Sequence, residues 1–177
     1  MSNSHVALLR GINVGGNKKV DMAGLRELMA ALGYADVRTL LNSGNVVFRS
    51  PAAPREAAIE KAIKDRYGFD VAVVLRTGAE IARVVATNPF EAEANDGSRY
   101  FVSFLATQMP AGALIDLDAA AYAPELLHMS KTEIYTWLPA GLTDSPLMKR
   151  LTEKKLGVSV TARNWNTVVK LSALVDR

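Results

Sequence analysis

Apolar positions along the chain switch between two periods. Val6-Ala-Leu-Leu-Arg10 reads as a strand, unbroken in its apolar run through Leu9, and Gly11-Ile-Asn-Val-Gly-Gly-Asn17 reads as a loop by its glycine and asparagine content. The period then becomes helical. Met22, Leu25, Leu28, Met29 and Leu32 share one face, with Asp21 placed to cap the start and Gly33 to close the end. Residues 37–41 predict a second strand, Asn42-Ser-Gly-Asn45 a tight turn and residues 46–49 a third strand, which together are a hairpin signature. Pro54 opens a second helix, with Ile59, Ala62, Ile63 and Tyr67 inward and Gly68 at its end, and residues 71–75 form a fourth strand. The order is β-α-β-β-α-β, the ferredoxin-like unit.

Thr77-Gly-Ala-Glu80 is a capping box for a linking helix carrying Ile81, Val84 and Val85, which stops at Asn88-Pro89. The polar stretch 91–97 is the best boundary, dividing the chain into 1–90 and 91–177. Beyond it the order repeats in pattern, though not in residue identity. Residues 100–106 predict a strand, a weaker helix falls within 116–122, and 125–129 with 133–138 form a hairpin. Ser145-Pro146 starts a helix running to Gly157, residues 158–160 form a short last strand, and Thr161 caps a terminal helix bearing Trp165, Val168, Val169 and Ser172. The fold class is therefore α+β: two tandem ferredoxin-like plaits with a linking helix and a C-terminal helix. The runs at 6–9 and 71–75 do not alternate with polar residues, so the first sheet is expected to be covered on both faces. The second repeat, the terminal helix or another subunit could supply that cover, so a homo-oligomer stays open.

Composition narrows the chemistry. Of 177 residues, 49% are hydrophobic and none is cysteine, which removes disulfides, thiolate metal sites and cysteine nucleophiles. The net charge of +3 is uneven, with residues 1–90 at +4 and residues 91–177 at −1. That excess can attract phosphates but falls short of a dense basic stripe. The first residues carry no signal-peptide core and no apolar stretch is long enough to span a bilayer, so the expectation is a cytoplasmic protein with no membrane partner.

Three motifs carry polar residues worth weighing. Arg10-Gly-Ile-Asn-Val-Gly-Gly-Asn-Lys-Lys19 places a glycine-rich loop between a strand and a helix, an arrangement that can hold anions. Its spacing matches neither the Walker A loop nor the dinucleotide fingerprint, so a structural loop is favoured over a phosphate cradle. Asn42, Ser43 and Asn45 could face a ligand, but they equally suit a turn needing positive φ at Gly44. In Thr161-Ala-Arg-Asn-Trp-Asn-Thr167, Arg163 and Asn164 fall in a predicted first helical turn, where a cation opposes the macrodipole and calls for an anionic partner. His5 and His128 have no ligand-like neighbours, so no metal site is predicted, and no Gly-x-Ser-x-Gly elbow exists. Tyr100, Phe104, Tyr135 and Trp137 alternate on one face of their strands, as do the stacking aromatics of RNA-binding plaits, but core packing is the favoured role.

Ala7-Leu-Leu-Arg-Gly-Ile-Asn-Val-Gly-Gly-Asn-Lys18, Ser43-Gly-Asn-Val-Val-Phe48, Asn88-Pro-Phe90 and Thr161-Ala-Arg-Asn-Trp-Asn-Thr167 lie in order from end to end. Together they resemble the bacterial family catalogued as domain of unknown function 1697. The resemblance implies paired ferredoxin-like plaits and no particular activity or cofactor. It also gathers Arg10, Asn13, Lys18, Ser43, Asn45, Arg163 and Asn164 into one candidate ligand-binding cluster. The leading functional expectation is a binding module for a small anionic or nucleotide-like ligand between the two repeats. Nucleic-acid binding is a second reading. An enzyme would need a site assembled only by the fold, because no nucleophile–base pair is visible in the sequence.

Overall fold

The computed structural model of the chain describes residues 3–175, arranged as a mixed α+β structure with two four-stranded antiparallel sheets and five α-helices. Two compact units divide it: residues up to Ala86 together with those from Lys170 onward, and Thr87–Val169.

In the first unit β1 (Asn3–Leu9), α1 (Met22–Ala31), β2 (Ala35–Leu40), β3 (Asn45–Ser50), α2 (Glu56–Tyr67), β4 (Val73–Thr77) and α3 (Gly78–Ala86) follow in order. The sheet runs β2-β3-β1-β4. The Asp21 cap is as the sequence predicts: its carboxylate accepts from Gly24 N, and Leu25, Leu28 and Met29 are buried. They join Ala7, Leu9, Val46 and Phe48 from the sheet and Ile59 and Ile63 from α2 in one core. The opposite face is buried too, at Val6, Leu8, Val47 and Val74. There α3 packs on β1 and β4, and Ser4 Oγ donates to Val175 O. The unbroken apolar pattern of β1 thus has its physical cause in double cover. The Thr77–Glu80 capping box closes as expected, with Thr77 N donating to Glu80 Oε2 at 2.7 Å and Glu80 N to Thr77 Oγ1 at 3.2 Å.

His5 lies buried on β1 and stacks on Phe48 with ring centroids 5.6 Å apart. Burial outweighs the attraction of Glu80 and holds the imidazole below its ordinary pKa of 6.5. On acidification the unfolded chain takes up this proton first, so stability should fall as pH drops below 6.5. A His5→Gln variant should lose less melting temperature between about pH 7 and about pH 5 than the parent, a window above that of the carboxylates. Parallel pH profiles for the two proteins would remove His5 as the cause.

The second unit contains β5 (Tyr100–Leu105), β6 (Leu126–Met129), β7 (Glu133–Trp137), α4 (Glu153–Leu156), β8 (Val160–Asn164) and the first half of α5 (Trp165–Val175). Its sheet order, β6-β7-β5-β8, repeats that of the first. Helices are weaker here than the pattern suggests. The stretch 116–122 forms only a 3-10 turn at Ala119–Tyr122. The predicted helix 145–157 breaks into a 3-10 turn at Met148–Arg150 and the single turn α4. Ser145 Oγ does accept Met148 N at 3.0 Å, but Thr152 is extended at ψ 151° and interrupts the run. Leu147, Leu151 and Leu156, spaced unevenly for one helix, all reach the core through that break.

The last strand is a further correction. β8 runs to Asn164, so residues 161–164 are not the first turn of a helix. Thr161 and Arg163 pair with Phe104 and Val102 of β5, and α5 begins only at Trp165. The β-branched Val-Thr start and a free edge on β5 outcompete helix formation.

Hydrogen bonding makes the repeat visible where residue identity does not. Leu9 N donates to Gly44 O and Arg10 N to Ala72 O; Leu105 N donates to Thr132 O and Ala106 N to Ser159 O. Arg76 lies opposite Val6, as Arg163 lies opposite Val102. Each of these arginines donates Nη1 to the carbonyl just before it, Leu75 O and Ala162 O, at 2.8 Å. Each is followed at once by the residue that caps the next helix, Thr77 or Asn164.

Candidate functional site

The glycine-rich loop is a miniature hairpin. Val14 and Asn17 bridge across Gly15 (φ 60°) and Gly16 (φ 79°), and Asn17 N donates to Val14 O at 3.2 Å. Two successive positive-φ glycines are what a two-residue turn of the I′ class requires. Asn13 N donates to Lys18 O at 3.2 Å, which closes the next rung. Residues 13–18 thus project as a finger with Val14 exposed.

Asn13 fastens the base of this finger. Its Nδ2 donates to Val20 O at 2.9 Å and to Asn42 O at 2.7 Å, while its Oδ1 accepts from Val20 N at 2.9 Å. Asparagine tolerates the left-handed backbone found here (φ 56°) and can donate and accept at once. Lys18, also left-handed, donates Nζ to Asp70 O at 2.7 Å. Lys64 pairs with the Asp70 carboxylate at 2.9 Å and, with Lys18 nearby, holds that carboxyl below its usual range.

The turn beside the finger is equally constrained. Leu41 (φ 59°) and Gly44 (φ 80°) take left-handed conformations. Buried Asn45 donates Nδ2 to Leu40 O at 2.9 Å and to Ser43 Oγ at 3.0 Å. Ser43 and Asn45 therefore shape the turn, as their residue types suggest.

Between finger, turn and the start of α1 lies an open groove of about 590 Å³, lined by Asn13, Gly16, Lys19, Val20, Asp21, Met22 and Asn42. At the amide end of α1 the Asp21 carboxylate takes Gly24 N and places a negative charge beside the helix start. The Gly24 amide is the chief cause of the lowered Asp21 pKa, and the Tyr67 hydroxyl adds a bond at 3.2 Å. The Gly24 amide is therefore taken by a side chain of the protein itself, and the groove beside it has side-chain walls. Lys19 supplies its cation.

Of the sequence-derived cluster, Asn13, Lys18, Ser43 and Asn45 come together around the finger and turn. Arg10 starts the finger, exposed, with its amide held by Ala72 O. Arg163 and Asn164 belong to the second unit. Asn164 Oδ1 accepts from Thr167 N at 3.0 Å and Thr167 Oγ1 at 2.8 Å, capping α5. Arg163 is buried in β8, bonded to Thr161 Oγ1 and Ala162 O at 2.8 Å each, and burial pushes its pKa down to about 10. The helix-dipole argument for Arg163 falls with the strand assignment. Lys19, Val20, Asp21 and Met22 are groove residues missing from the sequence-derived cluster. A signal for Lys19 was present: no acidic residue precedes Asp21, while Arg10, Lys18 and Lys19 all do.

The aromatic face of the second sheet is no open stacking platform. Tyr100 and Phe104 are fully buried, and Tyr135 and Trp137 nearly so. Tyr100 stacks on Trp165 at 4.8 Å between centroids and donates its hydroxyl to Asn88 Oδ1 at 2.7 Å. These aromatics are core anchors. Among the described residues, no cluster of three or more His, Asp or Glu side chains is placed to hold a metal ion, and no helix is long and apolar enough to cross a membrane.

Fold and site define the molecule as an α+β protein with two like-ordered antiparallel sheets and a glycine-tipped finger beside an open groove. The family model described as Protein of unknown function (DUF1697) matches residues 2–135, and the chain belongs to that family. Among solved structures, the chain is similar to a conserved bacterial protein from Streptococcus pneumoniae, with 99% of each chain covered, a TM-score of 0.66 and 23% identity. At that identity the likeness establishes the fold alone. No curated protein matches the sequence.

Proposed function

We propose that this protein is a binding module for a small anionic ligand, with the groove beside the finger of the first unit as its seat. We further read each unit as a ferredoxin-like plait, the β-α-β-β-α-β order being reduced in the second to short helical turns, and place the protein in the cytoplasm.

The observation that carries the binding reading is where strain collects. Asn13, Lys18 and Leu41 are three of the five non-glycine residues at positive φ among the described residues; Asn13 lines the groove, and Lys18 and Leu41 each precede a lining residue, Lys19 and Asn42. Each such residue costs on the order of 1 kcal/mol, and strain of this kind concentrates where a loop must hold a ligand-ready shape. Lys19 gives the groove its cation, while Asp21, whose Oδ1 accepts from Gly24 N, keeps its negative charge in the same lining. Val20 and Met22 add apolar wall suited to the body of a nucleotide-like ligand.

Thermal shift at low salt with pyrophosphate and with a nucleoside triphosphate tests this. A ligand present at about 100 times its dissociation constant should stabilise by about 2.7 kcal/mol. Lys19→Ala should remove most of that shift while leaving the unliganded melting temperature within about a degree, since an exposed surface substitution changes stability by less than about 0.5 kcal/mol. No shift with either ligand, or an equal shift in the variant, would rule the groove out.

A further inference from the structure

We propose that β6 is the docking edge for a second copy of this chain, which adds its own β6 antiparallel and joins two four-stranded sheets into one of eight strands. The groove of the first unit plays no part in the argument.

A sheet edge shows backbone donors and acceptors that another strand can take, and proteins block the edges they keep in solvent. The edge strands are β2 and β4 in the first sheet and β6 and β8 in the second. On β4, Arg10 N donates to Ala72 O, and the alternation of an antiparallel ladder then turns the backbone groups of Val73, Leu75 and Thr77 outward. Side chains of the same unit occupy them. Val73 N donates to Glu60 Oε1 at 2.9 Å, Leu75 O accepts from Arg76 Nη1 at 2.8 Å, and Thr77 N donates to Glu80 Oε2 at 2.7 Å. β8 is closed in the same manner. Ala106 N donates to Ser159 O, which turns Val160 and Ala162 outward. Val160 N donates to Glu153 Oε1 at 2.9 Å, and Ala162 O accepts from Arg163 Nη1 at 2.8 Å. β2 is guarded by shape and charge: its register shifts between Ala35 and Arg38, Asp36 is left-handed at φ 50°, and Asp36 and Arg38 put both signs of charge on the strand.

β6 has none of these devices. Its register against β7 is regular from Leu126 to Met129, and the strand carries no Lys, Arg, Asp or Glu. Ser130 N donates to Glu133 O at 2.8 Å, so Leu126 and His128 bond β7, while Leu127 and Met129 turn their N–H and C=O groups outward. Among the described residues, no side chain hydrogen-bonds these four groups. Met129 is also 44% exposed, and its side chain lies on the same face as that of Leu127, which packs against the core. The strand is complementary to itself, and this names the occupant. In a two-fold antiparallel pair centred on His128, Leu127 of each copy faces Met129 of the other, and all the outward groups find partners. The same pairing sets an apolar side chain against each exposed Met129. No charge within the strand meets its like. Glu125 precedes β6 and Lys131 follows it, so the antiparallel copy brings opposite signs together at both ends.

Cysteine cross-linking on the full chain tests the proposal, because the chain has no cysteine of its own. At the centre of the pair, a non-hydrogen-bonded position, the two Cα atoms of residue 128 should lie about 4.5 Å apart, within disulfide reach. With copper phenanthroline as oxidant, His128→Cys should form a covalent dimer about tenfold faster than Arg38→Cys, which places the thiol on the guarded β2 edge. Sedimentation of the unmodified protein should show a monomer–dimer equilibrium with a dissociation constant on the order of 100 µM, as fits a small edge contact. Met129→Pro removes an outward N–H and no bond to β7, and should leave only monomer. His128→Lys sets like charges opposite each other at the centre and should weaken the dimer about fivefold. Arg38→Glu should associate as the parent does. Melting curves confirm folding, and should Met129→Pro melt early, His128→Lys and the cross-linking rates decide. A parent protein that stays monomeric at about 1 mM, equal cross-linking rates for the two cysteine variants, or a dimer that Arg38→Glu weakens and His128→Lys does not would overturn the proposal.

Discussion

Replacing Gly44 by alanine should destabilise the first unit by about 3 kcal/mol, combining the strain of a left-handed residue with overpacking of the core. Gly44 sits at φ 80°, and a Cβ there would lie 2.6 Å from Leu9 Cβ and 2.9 Å from Ile12 Cδ1. Neither neighbour can retreat, since Leu9 is 0% exposed and Ile12 1%. Gly33 provides the comparison. It too is left-handed, at φ 86°, but a Cβ there meets nothing within 4 Å. Gly33→Ala should therefore show only the backbone penalty, about 1 to 2 kcal/mol. Urea denaturation of both variants measures the difference, and equal losses would show that packing beneath the turn contributes nothing.

The consequence for function follows from what Gly44 supports. Its carbonyl accepts Leu9 N at 2.8 Å, so the same residue ends β1, where the finger begins, and closes the turn that forms the opposite wall. A shift of the turn to relieve the alanine should also loosen the groove. Ligand-induced stabilisation should then shrink in Gly44→Ala and persist in Gly33→Ala.

Local signals were legible in the sequence; long-range ones were not. Asp21 and the Thr77–Glu80 box announce their helices because a cap is a contact within a few residues. The apolar run of β1 announced double burial. The last strand was misread because Thr161 looks like a cap, and only the partner strand β5, some sixty residues away, shows that residues 160–164 are extended. The same gap hid the role of Asn13. Its amide reaches Asn42, 29 residues on, and no pattern inside the loop encodes that bond. Lys19 was passed over for a related reason, since adjacent lysines diverge once the backbone leaves Lys18 at φ 48°. The repeat survives in register and sheet order while side chains differ. Asn45 and Glu133 occupy matching strand starts, opposite Leu8 and Phe104, and each bonds a hydroxyl of its own turn.

The Asn13 amide makes the sharpest prediction about the finger itself. Asn13→Ala deletes three hydrogen bonds and leaves a left-handed residue without asparagine's tolerance, an expected loss of about 3 to 4 kcal/mol in the stability of the segment. Asn13→Gly deletes the same bonds but relieves the backbone, so it should lose about 1 kcal/mol less. Asn13→Asp keeps the acceptor for Val20 N and loses both donors, so the contact with the turn at Asn42 should go while part of the base remains. Because the finger can open without unfolding the core, hydrogen exchange at Val20 N is a better measure than the melting temperature. Protection there should fall steeply in the alanine and glycine variants and less in aspartate. Unchanged protection in Asn13→Ala would mean that the turn, and not the asparagine, holds the finger in place, and the groove would then need another explanation for its shape.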